Sequence, residues 1–235
     1  MGKQDRRERV WDELEERGAA RFPYPPHGRI PNFAGADDAA DRLVETDAWR
    51  RADAIKSNPD APQLPVRRAA LCQGKTVYMA VPRLRDEKCF LRLDPAEIED
   101  TDRAATIGGS SDLGTRVGPD EMEPIGLIVS GSVAANDRGE RIGKGEGYSD
   151  LEFAILREFG LVDDETTTVT TVHEIQVVDE AFPTAHHDVP MDLIVTPDRT
   201  IRTDAGEPRP IGIAWDELDD DRIEEIPILD RLRSQ

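Results

Sequence analysis

One apolar stretch constrains the fold more than any other part of this chain. Residues 125–135 read IGLIVSGSVAA, and such a near-continuous apolar run is typical of a strand in a sheet covered on both faces. A glycine-rich loop follows at residues 143–147, and an amphipathic helical pattern then extends to Gly160. The apolar face of that helix comprises Leu151, Ala154, Ile155 and Phe159. This succession of strand, loop and helix predicts a parallel α/β sheet.

Further strands and helices alternate along the chain. Strands are predicted for four segments rich in β-branched and apolar residues: KTVYMAVP, CFLRLDP, TTTVTTVHE and MDLIVTP. The sequence contains no internal repeat and no linker. We therefore predict a single domain over residues 1–235, a three-layer α/β/α sandwich with a largely parallel sheet.

Two helical regions are predicted before the first strand. An N-terminal helix is expected to end at Gly18. Its buried face comprises Val10, Trp11 and Leu14. One or two helices are expected within residues 35–55. Their buried positions comprise Ala39, Leu43, Trp49 and Ile55.

Proline interrupts the pattern at several points. Residues 22–32 carry four prolines and are incompatible with a helix or a central strand. Residues 56–67, KSNPDAPQLPVR, are expected to be irregular and to lead into a short strand at residues 66–71. A late short strand is expected at residues 208–215, PRPIGIAW.

The charge of the chain is unusual in both size and distribution. Asp and Glu total 49 against 30 Lys and Arg, a formal net charge of −19, and the acids are spread along the chain. Lysine accounts for five of the cations, and arginine for the others. The even spread favours adaptation of an intracellular protein to a salt-loving microbe over an acidic patch that binds a basic partner. In molar salt the Debye length is ~3 Å, so repulsion between exposed carboxylates is screened. Such a charge also argues against electrostatic binding of nucleic acid.

The sequence indicates neither membrane insertion nor a cysteine framework. Apolar runs stay well below the ~18 residues that span a bilayer. The charged N-terminal segment lacks the apolar core of a signal peptide. Cys72 and Cys89 form neither a disulfide framework nor a metal-ligand set, and we interpret both as small apolar residues. A cytoplasmic protein without membrane contact is expected.

The strongest candidate for chemistry is the segment RIGKGEGYSD at residues 141–150. Alternate glycines let backbone amides converge on an anion, and the following helix adds the positive end of its dipole. Arg141 and Lys144 bring charge to the same place. Because the spacing matches neither of the common glycine-rich phosphate motifs, a tight strand-to-helix turn is the alternative interpretation.

Acidic and histidine side chains near this loop raise the question of a metal. Asp150 is interpreted either as an ordinary acid at a helix N-terminus or as an Mg²⁺ ligand beside phosphate. Asp188 is the second candidate ligand. The adjacent His186 and His187 raise the possibility of a zinc site. Zinc is disfavoured, because side chains of neighbouring residues point in different directions and no second Cys/His pair is close in the sequence. His173 is interpreted as structural.

Together these segments resemble the 5-formyltetrahydrofolate cyclo-ligase, or methenyltetrahydrofolate synthetase, family. The resemblance rests on Lys3 and Arg7, spaced four apart, on residues 125–150, and on the later HDVPMDLIVTP. On pattern alone, Lys3 and Arg7 would be a solvated cationic helix face. The chain is most similar to the methenyltetrahydrofolate synthase domain-containing subfamily, whose animal members carry an added RNA-recognition module. The matching blocks are KQDRRERVW, RIPNFAGADDAA, IKSNPDAPQLPVR, TVYMAVPRLR, GSVAANDRGERIGKGEGYSDLEFA, VHEIQVVD and PRPIGIAW.

The resemblance implies a fold related to ribose-5-phosphate isomerase and CoA-transferases, and an ATP- and Mg²⁺-dependent ligase. In that reaction ATP phosphorylates the formyl oxygen of 5-formyltetrahydrofolate, and N10 then displaces phosphate to give 5,10-methenyltetrahydrofolate. It implies that Arg141 and Lys144 are catalytic and that Asp150 and Asp188 hold Mg²⁺. The nucleotide-binding residues would be Lys3, Arg7, Gly143, Gly145, Gly147 and Tyr148.

Two departures from the family pattern leave the function open. The enzymes read GGGYYD where this chain has Glu146 and Ser149. They also hold folate with a glutamate whose region here, SNPDAPQLPVR, contains Asp60 as its one acid. The alternatives are a diverged nucleotide-binding relative acting on another small heterocycle or cofactor, and a non-catalytic or RNA-associated protein. The oligomeric state does not follow from the sequence.

Overall fold

The structure is a computed structural model that describes residues 2–206 and 208–234. Its α-helices are α1 (Lys3–Glu16), α2 (Ala36–Val44), α3 (Asp47–Arg51), α4 (Leu64–Cys72), α5 (Thr101–Ala104), α6 (Ile107–Leu113), α7 (Tyr148–Glu158), α8 (Asp220–Glu225) and α9 (Pro227–Arg233). Its strands are β1 (Ala20–Arg21), β2 (Asn32–Phe33), β3 (Ala54–Ser57), β4 (Thr76–Ala80), β5 (Phe90–Leu93), β6 (Thr115–Val117), β7 (Leu127–Ser130), β8 (Ala134–Ala135), β9 (Arg141–Ile142), β10 (Thr167–Thr171), β11 (Leu193–Val195) and β12 (Thr200–Arg202).

The main sheet has eight strands within the described residues, in the order β12-β11-β10-β7-β3-β4-β5-β6. The central strands β11, β10, β7, β3 and β4 are parallel to one another. Strand β12 is antiparallel to β11 at one edge. At the other edge β5 is antiparallel to β4, and β6 is antiparallel to β5, so β6 runs in the direction of the central strands. Strand β7 lies in the middle and all four of its residues are buried. The predicted three-layer α/β/α fold with a largely parallel sheet is confirmed.

The helix after the glycine loop packs as its pattern predicts. Leu151, Ala154 and Ile155 are buried in the main apolar core, and Phe159 packs half-buried against it. Gly160 follows the helix with a φ of +66°, a left-handed conformation that favours glycine at helix C-termini. Within the described residues, no helix combines the length and the apolar character needed to cross a membrane.

Helix α1 belongs to a second, smaller core. Val10, Trp11 and Leu14 are buried, and the chain leaves the helix through Gly18 at a φ of +65°. These side chains pack against residues of the β8–β9 hairpin, including Ile142. Since β9 leads directly into the glycine loop, this packing holds the N-terminal helix beside that loop.

The segment at residues 66–71 is helical, so the predicted strand there is wrong. Helix α4 begins at Leu64 with Pro65 in its first turn, a position where proline is tolerated because its missing amide has no helical partner. Val66 and Ala70, four residues apart, face the core together. Similarly, Ile55 is buried in β3, whereas the sequence placed it in a helix.

The late strand predicted at residues 208–215 is also wrong. The described part of this segment is irregular, and a short 3-10 turn follows at Trp215–Glu217. Two prolines, Pro208 and Pro210, remove amide donors that a strand needs for its ladder. The segment is anchored instead by α7, since the amide of Ile213 donates a 3.0 Å hydrogen bond to Glu158 Oε1.

A buried arginine clamps the loop that follows β3. Arg67 on α4 is 1% exposed. Its guanidinium donates to four carbonyl oxygens, those of Asn58 (2.6 Å), Pro59 (3.3 Å), Asp60 (3.2 Å) and Ala105 (2.8 Å). Burial lowers the pKa of Arg67 to about 10, so the group stays charged at neutral pH. The clamp sets the path of residues 58–60.

We expect Arg67→Ala to lower the free energy of unfolding by about 3 kcal/mol or more, because four carbonyls lose a charged donor. Urea titration measures this change. Arg68→Ala is the matched control, since its exposed ion pair with Asp102 is worth about 1 kcal/mol at most. Equal effects of the two substitutions would contradict a clamping role for Arg67.

Candidate functional site

The residues that the sequence singled out line one cleft of about 280 Å³. They come from α1, from β9, from the glycine loop with the start of α7, and from the segment before β11. They are Lys3, Arg7, Arg141, Gly143, Lys144, Gly145, Gly147, Tyr148, Asp150 and Asp188. The fold therefore brings together every candidate site residue, although their roles stay predictions.

Helix α1 delivers two cations to the cleft. Arg7 Nε donates a 2.7 Å hydrogen bond to the carbonyl of Gly143, in the glycine loop. Lys3 Nζ lies 3.0 Å from Asp188 Oδ2. The two side chains are one helical turn apart and both reach the cleft, so they are more than a solvated helix face.

The glycine loop runs from β9 into the N-terminus of α7. Gly145 and Gly147 have φ values of +109° and +69°, and Gly147 is the N-cap residue of the helix. A Cβ on Gly145 would make ordinary van der Waals contact with the Arg7 guanidinium at 3.5 Å, so the positive φ, and not a lack of space, favours glycine there. The free amides at the start of an α-helix attract anions, and they open here onto four cations.

Asp150 makes tertiary contacts instead of capping its own helix. Its Oδ1 accepts a 2.6 Å hydrogen bond from Arg141 and a 3.0 Å hydrogen bond from the amide of Val189. The side chains of Arg141 and Asp150 are 6% and 15% exposed, so this ion pair is shielded from water. Asp150 thereby ties the loop to the segment that carries Asp188.

Asp188 is held in a similar way at the opposite wall. Its Oδ2 accepts hydrogen bonds from Lys3 Nζ at 3.0 Å and from the amide of Ala185 at 2.9 Å. Both candidate metal ligands therefore pair with candidate site cations, Asp150 with the candidate catalytic residue Arg141 and Asp188 with the candidate nucleotide ligand Lys3. Charge is nearly balanced within the cleft before any ligand enters.

Glu146, which departs from the family pattern, pairs with the lysine of the same loop. Its Oε2 lies 2.7 Å from Lys144 Nζ, and both side chains are partly exposed. The carbonyl of Glu146 accepts a hydrogen bond from Arg222, whose guanidinium stacks 4.6 Å from the ring centre of Tyr148. The carboxylate of Glu146 thus pairs with the ammonium group of Lys144, and an anionic ligand would compete with this carboxylate for the lysine.

A second cavity of about 320 Å³ adjoins the cleft. The two share five lining residues, which are Asn58, Asp60, Lys144, Glu146 and Tyr148. Its other walls include Met79, Val81, Leu91 and Arg83. Arg83 has a φ of +58°, which is unusual for a residue other than glycine and is often found at functional sites. Sequence reasoning missed this cavity because its walls follow different strands.

Asp60 and Glu152 supply carboxylates to the second cavity. Burial raises the pKa of Asp60, while Lys144, Arg67 and Lys56 oppose the shift. Glu152 forms a buried ion pair with Lys56. The sequence contains a signal for this ion pair, since Glu152 interrupts the apolar run in DLEFAIL and Lys56 interrupts the short apolar run in AIKS.

None of the histidines or cysteines is a candidate site residue. His173 Nδ1 accepts a 3.2 Å hydrogen bond from the amide of Ile175, a structural role. His186 and His187 share a neighbour that the sequence did not reveal, since Glu217 brings all three sets of ligand atoms within 4.8 Å. Both cysteines are free, and burial raises the pKa of Cys89 to about 12, which keeps its thiol protonated.

Comparison with known proteins gives one family and several relatives. The model of the 5-formyltetrahydrofolate cyclo-ligase family matches residues 2–197. The chain is 43% identical over 241 residues to the methenyltetrahydrofolate synthase domain-containing protein of Bos taurus and 39% identical over 239 residues to that of Homo sapiens. All of the chain is covered in both cases, but it spans 63% and 62% of the two relatives.

The fold is shared with a solved structure of low sequence identity. The NMR structure of Aquifex aeolicus 5,10-methenyltetrahydrofolate synthetase superimposes with a TM-score of 0.55 at 17% identity. The match covers 88% of this chain and 96% of that one. On the extent of the family match, the chain belongs to the 5-formyltetrahydrofolate cyclo-ligase family.

Proposed function

We propose that the chain is an ATP-dependent cyclo-ligase that converts 5-formyltetrahydrofolate into 5,10-methenyltetrahydrofolate, ADP and phosphate. The observation that carries this proposal is the convergence of Lys3, Arg7, Arg141 and Lys144 on one cleft in a protein of net charge −19. Two of the five lysines in the sequence lie there. Cations concentrated at a helix N-terminus suit a polyphosphate.

Within this proposal the cleft holds the nucleotide phosphates. The amides of Gly145 and Gly147 and the start of α7 supply hydrogen-bond donors for phosphate oxygens. Arg141 and Lys144 neutralise the negative charge of the phosphoryl group during its transfer, and Lys3 and Arg7 bind the nucleotide beside them. Phosphoryl transfer needs such positioning and neutralisation, and it needs no covalent nucleophile from the protein.

The carboxylates of the cleft fit a bound Mg²⁺. Asp150 and Asp188 each keep one oxygen that accepts no hydrogen bond within the part of the chain that the structure describes. Magnesium is commonly held by one or two carboxylates together with phosphate oxygens. When bound, it would neutralise negative charge on the phosphates. Arg141 and Lys3 keep the two carboxylates oriented.

The second cavity is the proposed place of the reduced folate. It meets the nucleotide cleft at Lys144 and Tyr148, so a formyl oxygen there would face the phosphates. Phosphate transferred to that oxygen becomes the leaving group when N10 attacks the formyl carbon. Holding both substrates side by side turns a bimolecular encounter into a reaction within one complex.

A diverged relative that acts on another small heterocycle or cofactor is the second candidate. The departures from the family pattern favour it, since Glu146 and Ser149 replace residues of the glycine loop and the segment after β3 has no glutamate. Such a protein would bind ATP without turning over folate. A nucleic-acid or RNA-associated role has less support, since the net charge of −19 repels a polyanion.

We also propose that residues 1–235 form one cyclo-ligase-like domain that works in the cytoplasm of a salt-loving cell. Most buried apolar residues from α2 to α9 join one continuous core, which favours a single domain. Asp and Glu total 49 against 30 Lys and Arg in the chain, which favours a medium of high ionic strength.

We expect purified protein to form methenyltetrahydrofolate from 5-formyltetrahydrofolate and Mg·ATP, measured by absorbance in molar KCl. Lys144→Ala and Asp150→Asn should each weaken Mg·ATP binding by about tenfold or more, about 1.4 kcal/mol, in calorimetry. Lys88→Ala is the control, because its ion pair with Glu121 is exposed and remote from the cleft. Without ATP-dependent turnover the proposed reaction is wrong, and unchanged ATP binding in both variants makes the loop a simple turn.

We expect Glu146→Gln to bind ATP about threefold more tightly than the natural chain, because it removes a carboxylate that competes with phosphate for Lys144. Calorimetric titration with Mg·ATP measures the change. Glu121→Gln neutralises a comparable exposed Lys–Glu pair and should leave ATP affinity unchanged. Weaker binding by the Glu146 variant would instead make that carboxylate part of the metal or nucleotide site.

We expect the thermal midpoint of unfolding to rise between about 0.1 M and about 2 M KCl. Salt screens repulsion among the surface carboxylates of a chain whose formal net charge is −19. Circular dichroism at a series of KCl concentrations measures the midpoint. A midpoint that is constant or that falls with KCl would contradict adaptation to high salt.

A further inference from the structure

The ion pair between Lys56 and Glu152 is buried, and burial of two charges is energetically unfavourable. Their side chains are 1% and 7% exposed, so both charges have lost nearly all of their water. A buried ion pair seldom stabilises a fold more than well-packed apolar residues of the same volume would. Stability alone is therefore a weak reason for charges at these two positions, and the surroundings of Glu152 point to another.

Glu152 faces the second cavity. It lies on α7 one helical turn after Tyr148, and both residues line the cavity. Asp150, between them, faces the nucleotide cleft instead. The first turns of α7 thus divide the two cavities, with the glycine loop at their junction.

The two oxygens of Glu152 differ in their surroundings. Oε2 faces the ammonium group of Lys56 in the ion pair. Oε1 accepts no hydrogen bond from residues 2–206 or 208–234, although the residue is 95% buried, since its exposed fraction is 5%. Oε2 is the fully enclosed oxygen, whereas Oε1 keeps access to the cavity and can accept a hydrogen bond from a ligand.

Lys56 fixes the direction of this carboxylate. Its Nζ also donates a 2.7 Å hydrogen bond to Asn58 Oδ1, so the ammonium group links the end of β3 to α7. An ion-paired carboxylate accepts hydrogen bonds and donates none. The free oxygen is consequently a fixed acceptor in a largely apolar wall.

The rest of the cavity indicates what kind of molecule would use that acceptor. Met79, Val81 and Leu91 form apolar surface, and Asp60 adds a second carboxylate at the junction with the cleft. Apolar walls with acidic acceptors suit a flat ring that carries N–H donors on one edge. They disfavour a ring edge that presents acceptors, which would face the carboxylate without a proton between them.

We propose that Glu152 is a specificity-determining residue, which accepts hydrogen bonds from an amino group and a ring N–H of the substrate heterocycle, and that Lys56 positions it. The ligand class is a heterocycle with an aminopyrimidinone-type edge. The inference rests on the proposed function for the identity of the reaction. It assigns the recognition of that edge to α7, outside the loop that follows β3.

The test compares 5-formyltetrahydrofolate with its analogue that lacks the 2-amino group, on the natural chain and on Glu152→Gln. We expect the variant to raise KM for 5-formyltetrahydrofolate by about tenfold or more, with KM for ATP unchanged. The natural chain should discriminate against the analogue by a similar factor, and the variant should lose that discrimination. Glu158→Gln, on the same helix but bonded to Ile213, should leave all three values unchanged.

A double variant separates recognition from folding. Glu152→Gln leaves Lys56 buried without a counter-ion, which can unfold the protein. Lys56→Met with Glu152→Met removes both charges, so it should keep a thermal midpoint near that of the natural chain. It should bind ATP normally and lose the preference for the amino-bearing ligand. If either folded variant keeps that preference, Glu152 is structural and the inference is wrong.

Failure of the proposed reaction gives a different result. If the natural chain turns over no 5-formyltetrahydrofolate, the proposed function is wrong, and calorimetry with tetrahydropterin and guanosine then tests the inference by itself. Binding of either compound that depends on Glu152 would support it. Absence of binding by both, or binding that Glu152→Gln leaves unchanged, would overturn it.

Discussion

The site depends on the burial of β7 between β3 and β10. A strand enclosed on both edges and on both faces carries mainly apolar residues, as the LIVS sequence of β7 does. The loops after parallel strands meet at one edge of the sheet. The loop after β3, the loop after β4 and the segment after β7 all contribute walls to the two cavities, as is general for open α/β sheets.

Acidic partners hold the cations of the cleft in place before any ligand arrives. Lys3 pairs with Asp188, which is 185 residues away in the sequence, and Arg141 pairs with Asp150 across the glycine loop. Such pairs orient long side chains and reduce the entropy that binding would otherwise cost. Arg7 is arranged differently, since it bonds to the carbonyl of Gly143 and keeps its charge available. A polyanion therefore meets a preorganised set of donors within an otherwise acidic protein.

Helix α7 connects the two halves of the site. Its N-terminus receives the glycine loop, Asp150 turns toward the cleft, and Glu152 turns toward the second cavity. The helical period sets this division, since residues four apart share a face and residues two apart do not. A shift of α7 would move the phosphate donors and the ring-recognising carboxylate together, which couples the positions of the two proposed substrates.

The sequence by itself determined the layer architecture, the central strand, the glycine loop and the ten residues of the cleft. Apolar periodicity, glycine positions and family motifs are local features of the sequence, so they can be recognised without knowledge of the fold. Tertiary structure decided that residues 66–71 are helical, that residues 208–215 are irregular, and that Lys56 meets Glu152. These outcomes depend on which side chains the sheet brings into contact, and a buried charge reveals its partner only when distant segments have packed.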